Sequence, residues 1–422
     1  MPRFRTALLV TALSAAFIAA PLSAKSPEET AAAALAAAPV WDGHNDVPEQ
    51  LRGRYSNVIA NFDFNDTSKA PPTDWSGVGM HTDLPRLRKG KVGAQFWSVY
   101  VDADLPQPQA VVTTLEQIDV VKRLVARYPN DLMLATSSAD VEAAMKQGKI
   151  ASLMGMEGGS SIDGSLGVLR QMYDLGARYL TLTHSRTLEW ADSATDAPQH
   201  GGLTDFGKDV VREMQRIGML VDLSHVSEDT MFDALDVAKA PVIFSHSGAR
   251  AVNGHPRNVP DAVLARLKDN GGIVMVVGLP AYLGEKRRQW GADRAGEEAR
   301  LKGLWQGQPD RVKEGLEAWG KAHPEPKTTV ADMADHIDQI RKVAGIDAIG
   351  LGGDYDGMET GPVGMEDVAG YPALFTELAR RGYSQADLEK IASRNMMRVL
   401  KAAEAYAAAH RADPPIEYPE KD

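Results

Sequence analysis

Eight short apolar runs alternate with amphipathic helical stretches along almost the whole chain, and no other feature restricts the fold as strongly. The runs are residues 40–46, 92–101, 150–157, 179–184, 220–225, 242–246, 273–278 and 348–354. Most are rich in Val, Ile, Leu, Phe or Tyr and are bounded by turn residues, the pattern of buried strands. Between them lie helical stretches, among them 114–128, 165–175, 205–217, 261–269 and 329–343. Gly176, Gly218, Gly271 and Gly345 each stand between a helix and the next strand. There glycine closes a helix by entering the left-handed region without steric cost. Repeated helix–Gly–strand units imply a parallel sheet, and eight of them favour a closed (β/α)8 barrel (TIM barrel) over an open sheet. A shorter run at 132–135 reads as an extra edge element.

The expected organisation is a single barrel domain over residues 40–410, preceded by an Ala-rich helical leader at 25–39 and followed by a polar tail at 411–422. Two stretches break the rhythm. Residues 56–83 form a long polar connection after the first strand, and 284–327 form a charged helical insertion after the seventh, carrying Trp290, Trp305 and Trp319. Those tryptophans read as packing for an inserted helical pair on the barrel. The sharper reading makes the insertion a lid or an oligomer contact, with a homodimer left open. At the N-terminus Arg3 and Arg5 precede an apolar run that ends at Pro21-Leu22-Ser23-Ala24. A basic start, a short apolar core and a small residue at the cut describe a signal peptide over 1–24 cleaved near Ala24. Export to a periplasm or to the medium is therefore expected. No later run suits a membrane span, and no C-terminal lipid-anchor signal follows, so no stable membrane anchor is expected.

Composition matters here for what it excludes. The chain has no cysteine, which removes Cys-ligated zinc and Cys nucleophiles. A net charge of −11 argues against nucleic acid as a partner. There is no Gly-x-Ser-x-Gly elbow, no His-Glu-x-x-His helix and no phosphate-binding Gly-x-x-x-x-Gly-Lys loop.

Six of the eight runs end in ionisable residues: His44 and Asp46, Glu157, His184, His225, His246 and Asp354. In a (β/α)8 barrel the C-terminal strand ends converge on the face where active sites are built. One such His is most often a hydrogen-bonded structural residue. Six strands delivering His, Asp or Glu to one rim is different, because the group is costly to bury without a cation. His44 and Asp46 share a strand face by the period of two and can chelate one ion. His225 and His246 from neighbouring strands can hold a second, and Glu157 lies between with two oxygens to bridge them. This all-N/O set suits catalytic zinc, two ions per subunit, with manganese, cobalt or nickel as substitutes.

The sequence also resembles the membrane (renal) dipeptidase family of the amidohydrolase-like superfamily. The likeness runs from about residue 40 to 402 outside the insertion. It is carried by Asp42-Gly43-His44-Asn45-Asp46, the stretch 95–100, Glu157-Gly158-Gly159, and the stretches 179–185, 241–247, 257–261 and 352–354. The resemblance implies His44 and Asp46 on one zinc, His225 and His246 on the other, and Glu157 bridging. It further implies His184 as a substrate-facing catalytic histidine, Arg257 as the receiver of a dipeptide's C-terminal carboxylate, and Asp354 as the acid–base aspartate. Unlike animal relatives, this chain lacks cysteines, and Leu279 stands where family members often place a tyrosine, with Tyr282 nearby.

The expected function is zinc-dependent hydrolysis of dipeptides, with a hydroxide bridging the two metals attacking the peptide carbonyl. His184 would stabilise the oxyanion and Asp354 would move the proton to the leaving amine. The alternatives are a hydrolase using the same metals on a β-lactam or an N-acyl amino acid, and a non-catalytic exported binding barrel. His81, His200, His255, His323, His336 and His410 read as surface residues.

Overall fold

The computed structural model describes Pro2, residues 25–73 and residues 76–418. The expected signal peptide thus lies outside the described residues except for Pro2, as do the last four residues of the tail. Nine strands follow one another: β1 Val40–Asn45, β2 Val92–Tyr100, β3 Leu132–Leu134, β4 Ile150–Glu157, β5 Ala177–Thr181, β6 Leu220–Asp222, β7 Ile243–Ser247, β8 Ile273–Val277 and β9 Ile349–Gly352. All neighbours pair in parallel, in the order β2-β1-β9-β8-β7-β6-β5-β4-β3, and a β2–β4 pairing closes the ring. Eight strands therefore form a (β/α)8 barrel. The ninth, β3, is the expected edge element and pairs with the start of β4, along Ile150–Ser152, while β5 pairs further along from Met154.

The barrel interior is packed rather than hollow. Trp41, Phe96, Leu153, Tyr179, Ile243 and Met275 fill its lower part and are all buried. Helices on the outside cover the other strand face in a larger apolar layer that holds Leu51, Val121, Leu169, Val211 and Leu264. Local chemistry fixes the helix ends. Thr204 accepts from Gly207 N to start the Asp205–Ile217 helix, and Gly218, at φ 88°, ends it before β6.

One glycine decides what the barrel can hold above that core. A Cβ on Gly155 of β4 would lie 1.9 Å from the Tyr179 ring. Only glycine there lets the Tyr179 side chain cross the interior toward β1.

Two expectations need correction. The strands at β5, β6 and β9 stop earlier than the sequence runs implied, at Thr181, Asp222 and Gly352. His184, His225 and Asp354 therefore stand on the turns that follow, and the backbone bends sharply there: φ is 69° at His225 and 62° at Asp354. The insertion forms two helices, Glu285–Leu304 and Pro309–Ala322, but its tryptophan contacts run within the pair rather than onto the barrel. Trp290 and Trp319 meet at 5.6 Å, Arg287 covers Trp290, and Arg311 covers Trp305. Aromatic area in this pair is spent holding its own two helices together.

Candidate metal centre

The C-terminal rim gathers seven of the eight expected site residues around one carboxylate. Glu157, the last residue of β4, splits its two oxygens between two groups of imidazoles. Its Oε1 lies 3.1 Å from His225 Nε2, 3.5 Å from His246 Nε2 and 3.7 Å from His184 Nε2. Its Oε2 lies 3.3 Å from His44 Nε2 and accepts from Ser98 Oγ at 2.9 Å. Asp46 follows β1 as the cap residue of the Val47–Tyr55 helix, and its Oδ2 is 3.4 Å from His44 Nε2. Asp354 joins from the turn after β9, so that His44, Asp46 and Asp354 offer ligand atoms within 4.8 Å of one another. Two further triads meet the same limit, His44–Glu157–His246 and Glu157–His184–His225. A Cβ on Gly357 would sit 2.3 Å from Asp46 Oδ2 and 2.7 Å from Asp354 Oδ1, so glycine is what lets those two carboxylates gather.

The donor set fits a cation. His225 and His246 point their Nε2 atoms at each other across 2.9 Å. Burial, with Arg257 and the neighbouring imidazoles adding to it, holds both rings well below the ordinary histidine range. Between neutral rings this contact is a hydrogen bond only if one Nε2 carries its proton, whereas with a cation bound both Nε2 lone pairs would be free to face it. Burial opposes protonation of His44 too, yet Tyr179, Glu157 and Asp46 outweigh it and raise that ring well above its usual range. His44 Nε2 and Asp46 Oδ2 are both buried without a hydrogen-bond partner.

Two relays orient the rings. Ser245 Oγ donates to Asp222 Oδ2 at 2.6 Å, so it can only accept from His246 Nδ1, 2.8 Å away. The proton sits on Nδ1 and the Nε2 lone pair is left to face the centre. On the other side Tyr179 OH donates to Gly43 O at 3.4 Å and accepts from His44 Nδ1 at 2.9 Å. These relay residues escaped the sequence reading. An Asp, a Ser and a Tyr inside strands look like ordinary strand residues, and only their contacts give them away.

Arg257 is the eighth expected residue and stands at the edge of this cluster. It is 1% exposed; its Nη1 donates to Ser247 Oγ at 3.3 Å and its Nη2 to His246 O at 3.2 Å, while its Nε has no partner. Among the described residues no carboxylate pairs with it within 4.0 Å. Its guanidinium lies 5.5 Å from the Tyr282 ring. A cavity of about 670 Å³ opens over the cluster, lined by Arg257, Tyr282 and Leu279 as well as by His184 and Asp354. Burial, with Asp46 and Glu157 adding to it against His44, raises the Asp354 carboxyl well above the usual range. Of the histidines expected on the surface, His336 is fully buried and accepts from Ala249 N at 2.8 Å. His255 is half-buried, with its ring centroid 4.2 Å from that of Tyr282.

A closed (β/α)8 barrel with a carboxylate–imidazole cluster at its C-terminal rim has the build of a metal-dependent hydrolase. The family model for membrane dipeptidase, peptidase family M19, matches residues 28–414. The chain belongs to this family and is a metallo-dipeptidase. It is 40% identical to an uncharacterized dipeptidase of Schizosaccharomyces pombe, over 93% of this chain and 87% of that one. It is also 40% identical to Dipeptidase 3 of Macaca fascicularis, over 90% of this chain and 68% of that one. Among solved structures, the probable dipeptidase PvdM from Pseudomonas aeruginosa superposes with a TM-score of 0.76 at 24% identity, covering 90% of this chain and 99% of that one. A metallo peptidase from Rhodobacter sphaeroides, liganded with a phosphinate mimic of the dipeptide L-Ala-D-Ala, gives 0.68 at 24%, covering 87% and 99%. At that identity the structural likeness speaks for the fold.

Proposed function

We propose that the chain cleaves dipeptides at a two-zinc centre in which His44 and Asp46 hold one ion, His225 and His246 the other, and Glu157 both. The observation that carries the substrate end is Arg257: a buried guanidinium without a counter-anion, lining the cavity beside the cluster. A buried cation left unpaired is costly, and a substrate carboxylate would complete it in bidentate geometry. A longer peptide has no carboxylate at that distance from its first peptide bond.

When bound, such ions acidify water and polarise a carbonyl. The chain's own residues supply the rest. Arg257 fixes the C-terminal carboxylate and so places the peptide bond over the cluster. His184, which burial holds below the ordinary range, offers a ring N–H to the carbonyl oxygen as charge develops there. Asp354, whose carboxyl is raised by burial, takes a proton on a carboxylate oxygen and delivers it to the leaving amine. Export with cleavage after Ala24 belongs to the same proposal and rests on residues 1–24 of the sequence alone; N-terminal sequencing of secreted protein checks it.

The test is release of free amino acids from L,L- and L,D-dipeptides by the purified protein, with zinc, after chelation, and with Asp354→Asn. Chelator-sensitive turnover that the variant loses supports the reading. Two bound metals without turnover on any dipeptide overturns it.

A further inference from the structure

The cavity has two chemically opposite ends. Arg257 and Tyr282 form one. The other is formed by the first turn of the Val47–Tyr55 helix and the segment after β2, with Glu49, Arg52, Tyr100, Asp102 and Thr113 on the wall. Asp46 caps that helix and Glu49 lies three residues on, so both carboxylates project from one helix face. A rise of roughly 1.5 Å per residue puts Glu49 about 4.5 Å further along the helix than Asp46.

Two observations describe this acidic end. First, Gln117 Nε2 donates to Glu49 Oε2 at 3.2 Å, and among the described residues no Lys or Arg nitrogen lies within 4.0 Å of that carboxylate. Second, the nearby cation is engaged elsewhere: Arg52 pairs with Glu116 at 3.0 Å and reaches Thr113 Oγ1 at 3.5 Å. Burial, then Asp46, and further on Glu157 and Asp102, push the Glu49 carboxyl up to about 7 against the pull of Arg52. An acidic wall of this kind is uncomfortable until a cation arrives.

Resting on the dipeptidase reading above, we propose that Glu49, assisted by Asp102, is the specificity-determining residue for a cationic side chain on the N-terminal residue of the dipeptide. With the C-terminal carboxylate on Arg257 and the peptide bond over Glu157, the N-terminal residue extends toward this end. Its α-ammonium is two bonds from the scissile carbonyl and stays close to the cluster. A lysyl, ornithyl or arginyl side chain reaches the next turn, where Glu49 stands. There it meets a partly desolvated carboxylate, the setting in which a charge-assisted hydrogen bond is strong.

The experiment compares kcat/KM for Lys-Ala with that for norleucine-Ala, which matches the chain length without the charge. The wild-type ratio is expected at about tenfold or more, the size of one hydrogen bond between charged groups. Glu49→Gln brings the ratio to about one, and Glu49→Lys turns the preference toward Glu-Ala. A ratio is read because it cancels any general loss of turnover. A wild-type ratio near one, or a ratio that Glu49→Gln leaves unchanged, overturns the proposal while dipeptide cleavage stands. If wild-type protein with bound metal cleaves neither dipeptide, the dipeptidase reading falls and this proposal falls with it.

Discussion

The two halves of the candidate centre are built by the same device and differ in what that device is tied to. In each, a fully buried aspartate that is not itself near the metal-facing atoms organises the strand end. Asp42 of β1 accepts from His44 N at 3.1 Å and from Gly353 N at 2.8 Å, which staples β1 to the end of β9. Asp222 of β6 accepts from Ser224 N at 3.1 Å and from Ser245 N at 2.8 Å, which staples β6 to β7. Their second oxygens diverge. Asp42 Oδ2 accepts from Tyr371 OH at 2.6 Å, on an outer helix. Asp222 Oδ2 accepts from Thr181 Oγ1 and Ser245 Oγ, and Ser245 in turn holds His246. The first half is therefore tied to the outer layer of the fold, and the second to the proton on the His246 ring. A perturbation of the first should be felt as stability, and of the second as metal affinity.

Glu157 belongs to both halves, and its loss should remove the distinction altogether. Glu157→Gln takes the charge from the one carboxylate that faces His44 on one oxygen and His225 and His246 on the other. Metal content should fall from two ions toward none, with kcat/KM lower by about a thousandfold or more. Metal analysis beside dipeptide turnover checks this. Two ions still bound in the variant would mean that the halves stand independently.

The paired aspartates give the direct comparison. In Asp222→Asn the amide NH2 replaces an accepting oxygen, so Ser245 Oγ must accept from it and turn its own hydrogen to His246 Nδ1. The ring then carries its proton on Nε2 and loses the lone pair that faces the centre. One metal should bind about 10- to 100-fold more weakly, read by competition with a chelator, with the urea midpoint little changed. Asp42→Asn should do the reverse. Tyr371 OH and two backbone N–H groups then share an amide, at a cost of about 1–3 kcal/mol in unfolding free energy, while metal affinity holds. Equal behaviour of the two variants would break the comparison.

The barrel and the rim were legible in the sequence because they follow from periodicity. Parallel strands buried on both faces read as apolar runs, and a polar residue at the end of such a run has nowhere to go but the rim. That logic found His44, Glu157 and His246 where they stand. It misjudged the strand ends near His225 and Asp354, because a left-handed turn after a short strand leaves no periodic signal. It missed Asp222, Ser245 and Tyr179 for another reason: their partners lie on other strands, and nothing in the chain near Ser245 announces a carboxylate 23 residues earlier. Glu49 lies in the Val47–Tyr55 helix, between the first apolar run and the long connection, where no strand end points a residue to the rim. His336 was misplaced on the surface, because a buried histidine bonded at both nitrogens has the same sequence signature as an exposed one.

The smallest effect separates the anchor loop from both halves. His255 precedes Arg257 by two residues, and Arg257 N donates to its Nδ1 at 3.1 Å, a bond only a neutral ring can accept. Burial, then Arg257, Arg288 and Arg250, lower the ring to about 4 from its ordinary 6.5. The unfolded chain takes up a proton near 6.5 and the folded chain only near 4, so this stabilisation is complete above pH 6.5 and is lost as pH falls toward 4. The ring is partly exposed and its arginine neighbours are screened, which reduces the full linkage to about 1–2 kcal/mol. Urea unfolding of wild type and His255→Gln near pH 7.5 and near pH 5 measures it, since titrations common to both proteins cancel. Wild type should lose about 0.6–1 kcal/mol more than the variant between the two, because pH 5 stops roughly three-fifths of the way from 6.5 to 4. Equal losses would mean that solvent already screens the arginines of this loop. Arg257 would then be a weaker anchor for a carboxylate than its burial implies, and the weight of positioning would shift back to the two halves of the centre.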